Sequence, residues 1–392
     1  MKTRLDNNTL TIFLEGRIDT NNAAAVETEL MSAVGDAAGA EIVLDAEGLS
    51  YISSAGLRVL MKLRKQAGTT ITVENVSREV YDIFETTGFT ELLDVKKALR
   101  QLSVEGCALI GSGGFGRVYR IDPETIVKVY NPGLTLDMVQ QERDTAQKAF
   151  LMGVPTAISY DVVKCGDCFG VVYELLNAQT VAQIMDADRS RVAEMGQKSA
   201  RLLRSLHEIS VEDGVLPDRK EDMIQWVDKI APILEPSEAE ELRSFLRAVP
   251  ERRTFLHGDF NSKNIMVQED GEFVLIDLGD AAFGHPVFDV ASLTLPYLYL
   301  PKSSLPGAEI RRLLGFDPED GALMWGTMCG TYFETAEIAP WTQAVMPYGQ
   351  LLATYQGSRW GGYNLDYMKQ RTLPGIRDRL LPLIRNAKPL NW

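Results

Sequence analysis

The chain has 392 residues, room for two or three domains, with 45% hydrophobic and 24% charged residues. Its formal net charge is −14, which argues against a general nucleic-acid or membrane-surface binder. No apolar run reaches the length of a membrane span, and "MKTRLDNNTLTIFLEG" has no continuous apolar signal core, so a cytoplasmic location is expected.

The first hundred residues alternate short strands and helices. "LTIFLEGRI" reads as a strand, followed by "TNNAAAVETELMSAV" as a helix with Thr20 at its N-cap. "EIVLDAEGL" is a second strand and "SAGLRVLMKLRKQA" a second helix. "TTITVENV" is a third strand, "SREVYDIFETTG" a capped helix closing on Gly88, and "LLDVKKAL" a last strand. This order predicts a small α/β domain over 1–100, with helices on a mixed sheet.

A different pattern begins near Leu102. "SVEGCALIGSGGFGRVYRIDPETIVKVY" is almost all strand and turn. From about Thr180 the chain reads mainly helical, interrupted around Asp259 and Asp277. Cys165 and Cys168 form a lone C-x-x-C between strand-like runs. A hairpin turn is expected there, because a zinc site would need two more ligands.

The chemistry is concentrated in a few stretches. "GSGGFGRV" fits G-x-G-x-x-G-x-V through Gly111, Ser112, Gly113, Gly114, Phe115, Gly116 and Val118. Glycines serve where backbone must approach phosphate oxygens and where φ is positive. Dinucleotide-binding turns share the pattern but open a helix, whereas strands follow here, which favours a glycine hairpin over nucleotide phosphates. Lys128 in "IVKVY" would face that loop and hold phosphates; a plain surface lysine is the alternative. Glu142 is the only glutamate in "TLDMVQQERDTAQKAF", where Thr135 is the expected cap. It borders the buried face and could pair with Lys128 or simply decorate the helix surface. Tyr173–Leu176 marks a hinge, with Glu174 and Leu176 offering backbone to an adenine.

"HGDFNSKN" spaces Asp259 and Asn264 five apart, and Asp277 in "VLIDLGD" lies thirteen further on. Phosphoryl transfer needs a carboxylate that receives or orients the attacking hydroxyl, matched by Asp259. It also needs oxygen ligands that hold Mg²⁺ against ATP phosphates, matched by Asn264 and Asp277. The short apolar strands "NIMV" and "FVLID" would set these ligands side by side.

With those residues in view, 101–392 resembles the protein-kinase-like phosphotransferases, in the aminoglycoside phosphotransferase and choline kinase branch, through "HGDFNSKN" and "IDLGDAAFGHPVFDV". The resemblance implies an α+β bilobal fold, with an N-lobe over 101–176 and a C-lobe over 177–392. It implies Asp259 as base, Asn264 and Asp277 as metal ligands, Asp289 as a buried carboxylate bracing the catalytic loop, and His257 as structural. The chain departs at His285, where the family usually has Asp, at Asn261, where protein kinases carry Lys, and at Leu278, where they carry Phe. About a dozen residues separate Asp277 from Asp289, which leaves little chain for a peptide-docking platform. An acceptor pocket is expected from the helices after about 290, which carry Trp325, Tyr332, Trp341, Tyr348, Tyr355, Trp360, Tyr363 and Tyr367; helical core is the alternative role for these rings.

"LDAEGLSYISSAGLRVLMKLRK" resembles the STAS domain of bacterial anti-sigma factor antagonists. The resemblance implies phosphorylation at Ser54 and a protein partner, an anti-sigma factor or a kinase of that pathway. A serine there could equally be the helix N-cap, and Ser53 stands where signalling members commonly have Asp. Three functions follow: a small-molecule hydroxyl kinase with a regulatory STAS domain, a protein kinase acting on Ser54 or a partner, or an antagonist with an inactive kinase-like scaffold. The set Lys128, Asp259, Asn264 and Asp277 argues against the third, and fold alone does not choose a substrate.

Overall fold

The computed structural model describes all residues except Asn7, Ala38 and Gly361. The chain divides into two compact units, Met1–Ser103 and Val104–Trp392.

The first unit is a five-stranded mixed sheet in the order β1-β2-β3-β4-β5: β1 Lys2–Asp6, β2 Thr9–Ile18, β3 Glu41–Ile52, β4 Thr72–Val76 and β5 Asp94–Lys97. Strand β1 runs antiparallel to β2, and β2 through β5 are parallel. The sequence reading missed β1. All five of its residues are exposed, so it has no apolar alternation to reveal it. Helices α1 (Ala23–Asp36), α2 (Ser54–Ala67) and α3 (Arg78–Thr86) supply the connections. Ile12, Leu14, Leu44, Leu57, Leu60, Leu63, Val73 and Phe84 form part of one apolar core.

Two helix starts differ from the expectation. Helix α1 begins after Asn22, not Thr20. A turn intervenes in which the Asn22 side chain accepts from Asp19 N at 2.8 Å and donates to Arg17 O at 2.7 Å. Helix α2 is capped by Ser53, whose hydroxyl accepts from Gly56 N at 3.4 Å. Ser54 is therefore the first helical residue, and it is exposed.

The second unit has two lobes. In the first, five antiparallel strands lie in the spatial order Ser159–Cys165, Cys168–Glu174, Thr125–Tyr130, Gly116–Arg120 and Ala108–Ser112. Helix α4 (Leu136–Leu151) packs on this sheet, and Thr135 caps it as expected through Met138 N. Cys165 and Cys168 face each other across a hairpin, with Gly166 at φ +61°, and no disulfide joins them. The second lobe is helical around a core that includes Trp226, Phe255, Leu256, Phe260 and Phe316. Two short hairpins interrupt it: Thr254–Leu256 with Ala282–Gly284, and Ile265–Gln268 with Phe273–Leu275. No helix among the described residues is long and apolar enough to cross a membrane.

Candidate active site

The two hairpins of the second lobe position the central loop. His257–Asn264 connects one hairpin to the other, and the strand Phe273–Leu275 leads directly into Asp277. Ile276 N donates to Asn264 O at 3.0 Å, which ties the two ends of the site together.

The loop is braced from beneath by one fully buried carboxylate. Asp289 accepts from His257 N at 2.7 Å, from Gly258 N at 2.8 Å and from a ring nitrogen of His207 at 3.3 Å. Burial alone would raise its pKa, and the hydrogen bond and charge of His207, with His257 and Gly258 N, hold it below the usual carboxylate range instead. The His207 ring meets Asp289 through Nε2 at 3.3 Å and Tyr332 Oη through Nδ1 at 2.7 Å. His257 is buried, and burial pushes its pKa down; its Nδ1 accepts from Asp259 N at 3.3 Å. Gly258 has φ +84°, and an added Cβ would overlap the main-chain oxygen of Asp280, so only glycine fits between these groups.

His285, the departure from the family pattern, makes one bond a carboxylate could make and one it could not. It is buried, its Nδ1 accepts from Val287 N at 3.1 Å, and its Nε2 donates to the main-chain oxygen of Trp392 at 2.8 Å. Burial pushes its pKa down to about 4, so the neutral ring satisfies both partners at pH 7.

Above this base stand the reactive groups. Asn264 donates through Nδ2 to Asp259 Oδ2 and to Asp259 O, both at 2.9 Å. Asn261 adds a bond to Asp259 O at 3.0 Å. Burial, then the charges of Asp277 and Asp280, push the Asp259 carboxyl up to about 7, against the hydrogen bonds of Asn264 and Asn261. Asp277 sits at φ +63°, a left-handed conformation that costs a non-glycine residue of order 1 kcal/mol or more. Lys128 Nζ donates to Asp277 Oδ1 at 2.8 Å and to Glu142 Oε1 at 2.7 Å. Burial alone would lower the lysine's pKa; Asp277 and Glu142 outweigh it, and the ammonium stays charged.

Lys128 therefore joins the first lobe to the second. Its strand position alternates with the buried Val127, and Val118 of the glycine hairpin lies opposite it in register. Glu142 is fixed from the other side by Tyr130 Oη, which donates to Glu142 Oε1 at 2.7 Å.

The glycine hairpin joins the strands Ala108–Ser112 and Gly116–Arg120. Gly113 N donates to Gly116 O at 2.9 Å, and Asn131 Nδ2 donates to Gly114 O at 2.8 Å. None of Gly111, Gly113, Gly114 and Gly116 has a positive φ, so backbone freedom is not what these glycines supply. A Cβ on Gly116 would overlap Val129 O, so that glycine serves strand packing. Gly113 and Gly114 would meet nothing within 4 Å, and Phe115 is half exposed. The fold itself thus gives no reason for glycine at 113 and 114.

At the hinge, Glu174 N donates to Ile158 O at 3.0 Å and Leu175 N to Glu124 O at 2.7 Å. The Glu174 carboxylate accepts from Ile158 N at 2.7 Å and so is turned along the sheet. Among the described residues, no backbone hydrogen bond engages Leu176 N.

Four contributors escaped the sequence reading: Arg359, Asp280, Arg219 and Tyr297. Arg359 Nη1 donates to Asp280 Oδ1 at 2.8 Å, across 79 residues of chain. Burial would raise the Asp280 pKa, and Arg359 and Arg219 draw it down instead. Arg219 is buried and donates to Asp280 O. Tyr297 Oη accepts from Ser262 N at 3.1 Å and so supports the loop between Asp259 and Asn264. No local pattern marks any of these, because each works through a partner far away in sequence.

The aromatic acceptor pocket does not form as a unit. Trp325, Tyr348 and Tyr355 are core residues, and Trp341 stacks on Phe333 with ring centroids 3.9 Å apart. Tyr332 belongs to the His207 brace. Tyr363 is partly buried beside Lys229, and Tyr367 is exposed. The Trp360 side chain lies outside the described residues.

The sequence profile of the STAS domain matches residues 1–102. BtrV of Bordetella bronchiseptica, a protein that carries the name of an anti-sigma factor antagonist, is 37% identical over 86 residues, 21% of this chain and 72% of BtrV. Similar solved structures include a thermostable variant of aminoglycoside phosphotransferase APH(4)-Ia in a ternary complex with AMP-PNP and hygromycin B. It is 14% identical, covering 72% of this chain and 94% of that one, with a TM-score of 0.46. The gentamicin complex of APH(2'')-IIa is 16% identical, covering 79% and 96%, with a TM-score of 0.42. The profile of the phosphotransferase enzyme family matches residues 107–323, more than half of the chain. The chain belongs to the phosphotransferase enzyme family and carries a STAS domain at its N-terminus.

Proposed function

We propose that the protein is an ATP- and Mg²⁺-dependent kinase that transfers the γ-phosphoryl group to a hydroxyl of a small molecule, of the sugar, amino alcohol or aminoglycoside class. The observation that carries this reading is Lys128, held at once by Glu142 and Asp277 at 2.7 and 2.8 Å. That bridge joins the strand beside the glycine hairpin to the loop that would carry the metal. The functional division is then a STAS domain over 1–100, an N-lobe over 101–176 and a C-lobe over 177–392.

In this reading the adenine lies against the hinge, where Leu176 N is open, and Gly113 and Gly114 let the backbone approach the phosphates. Lys128 holds the α- and β-phosphates. The residues fit a magnesium site: Asn264 keeps its carbonyl oxygen after donating to Asp259, and Asp277 keeps Oδ2 after accepting from Lys128. Among the described residues no group of three or more His, Cys, Asp or Glu is arranged around a cation. Mg²⁺ commonly takes one or two protein ligands and completes its shell with phosphate and water. The ion would neutralise charge on the transferring phosphoryl group. Asp259 orients the attacking hydroxyl and receives its proton, and Asn264 fixes the carboxylate that does so.

The test is transfer of labelled γ-phosphate to a panel of hydroxyl compounds by the full chain and by Asp259→Asn. Acceptor-dependent transfer by the wild type alone supports the reading. Nucleotide binding without transfer to any acceptor, small or protein, sinks it.

One observation favours a second reading, in which the acceptor is a serine of a protein. Ser53 supplies the cap of α2, so the exposed Ser54 at the first helical position is not committed to that role. A phosphate there would meet the N-terminal N–H groups of α2. The STAS domain would then receive the phosphate from this chain or from a kinase of its pathway, and would bind an anti-sigma factor or similar partner. Mass analysis of Ser54→Ala after incubation with Mg-ATP separates this reading from the first.

A further inference from the structure

The C-terminal helical segments carry four arginines that face two ways. Arg377 is bidentate to Glu238, at 2.7 and 3.0 Å, and Arg385 is bidentate to Glu241, at 2.9 and 3.0 Å. Arg371 and Arg379 have no ion pair or hydrogen bond among the described residues. Both line a cavity of about 190 Å³ against one face of the helix Ile338–Trp360. That volume suits a small ligand better than a single bridging water.

The rest of the wall is mixed, with Leu295, Ala353, Gly357 and Gly375 beside polar side chains. Gln350 and Thr354 come from the long helix, both buried, at the i, i+4 spacing that puts them on one face. Tyr299 and Tyr367 also line the cavity. The Tyr299 hydroxyl is buried and has no hydrogen-bond partner among the described residues, a state that costs about 1–3 kcal/mol unless a partner reaches it. None of the lining residues is acidic, although the chain as a whole has a net charge of −14. Two unpaired guanidinium groups, an orphaned phenol and an amide around one small cavity match an anion that also carries hydroxyl groups.

We propose that this cavity is a binding site for a small hydroxylated anion, a phosphate monoester or carboxylate of a few carbons. Arg371 and Arg379 hold the charged group, and Tyr299 and Gln350 bond the hydroxyls. The walls belong to elements that also support the candidate active site. Tyr297, two residues before Tyr299, holds Ser262 N, and Arg359 at the end of the long helix holds Asp280. Binding here does not depend on the phosphotransferase reading, because it requires neither nucleotide nor metal.

The test is calorimetric titration of the full chain with sn-glycerol 3-phosphate, without nucleotide or Mg²⁺. A Lys128→Ala background removes phosphate binding near the glycine hairpin. Saturable binding is expected, with glycerol and ethanolamine inert as neutral and cationic comparators. Arg371→Ala and Arg379→Ala should each weaken it about tenfold or more, as loss of a charge-assisted hydrogen bond does. Tyr299→Phe, which changes one oxygen, should weaken it by a smaller factor. Three results overturn the proposal: no saturable binding of glycerol 3-phosphate, equal binding of glycerol or ethanolamine, or an affinity unmoved by both arginine substitutions.

Discussion

Replacing Asp259 with Asn should stabilise the protein while disabling it. Burial and the charges of Asp277 and Asp280 raise the Asp259 pKa from 3.8 to about 7. That difference corresponds to a ceiling of about 4 kcal/mol against the ionised form in the folded state. Asp259 is only partly buried, so solvent screening reduces the working figure to about 1–2 kcal/mol. The sign follows from where the proton is lost. Below about pH 4 both folded and unfolded chains hold it, and there is no penalty. Between pH 4 and 7 the unfolded chain releases it first, and the penalty grows until it is complete above pH 7. Asn carries no charge and escapes this penalty. All five tryptophans fall in the second unit, so intrinsic fluorescence on heating follows that unit selectively. Without nucleotide or metal, Asp259→Asn should raise its Tm by about 2–5 °C at pH 8, and by clearly less at pH 5. An unchanged or lower Tm at pH 8, or an equal gain at both pH values, would refute the electrostatic argument.

Other outcomes follow from the same geometry. Gly116→Ala forces a Cβ into Val129 O and should cost about 1–3 kcal/mol in urea unfolding. Gly113→Ala meets nothing and should stay within about 0.5 kcal/mol while raising KM for ATP; equal stability losses would contradict the division of labour between these glycines. Asp289→Ala strands three donors, one buried and two partly buried, and should cost about 3 kcal/mol, read as a shifted denaturant midpoint. Arg359→Gln removes the group that draws the Asp280 pKa down, so its destabilisation should be full at pH 7 and shrink as the pH falls below the ordinary carboxylate value of 3.8. A loss independent of pH would mean that Arg359 acts by packing alone.

Legibility in the sequence followed the range of the interactions. Elements with their own apolar period and caps, such as α3 behind Ser77 and α4 behind Thr135, could be read directly. Strand β1 could not, because its residues are exposed and its partner alone defines it. The motif residues Lys128, Glu142, Asp259, Asn264 and Asp277 were visible as spacing, and the structure brings Lys128 to Glu142 and Asp277, and Asn264 to Asp259. Their supports were invisible. His207 reaches Asp289 across 82 residues and Arg359 reaches Asp280 across 79, and neither lies in a pattern that names its partner. The aromatic cluster left two roles open. Composition marks those rings as ligand-binding or as core, and only packing decided for core in Trp325, Tyr348 and Tyr355. Ser54 turned on a single position: two adjacent serines were available, and the backbone at Ser53, φ −91° and ψ 173°, is the one that caps.

The most direct measurement is the rate of ADP formation from Mg-ATP by the wild type and Asp259→Asn, with nucleotide binding measured on both. The account predicts Mg²⁺-dependent ADP formation by the wild type and a loss of about 100-fold or more in the variant, with Mg-ATP still bound. Equal rates in the two proteins, or no binding of Mg-ATP to the wild type, would contradict it.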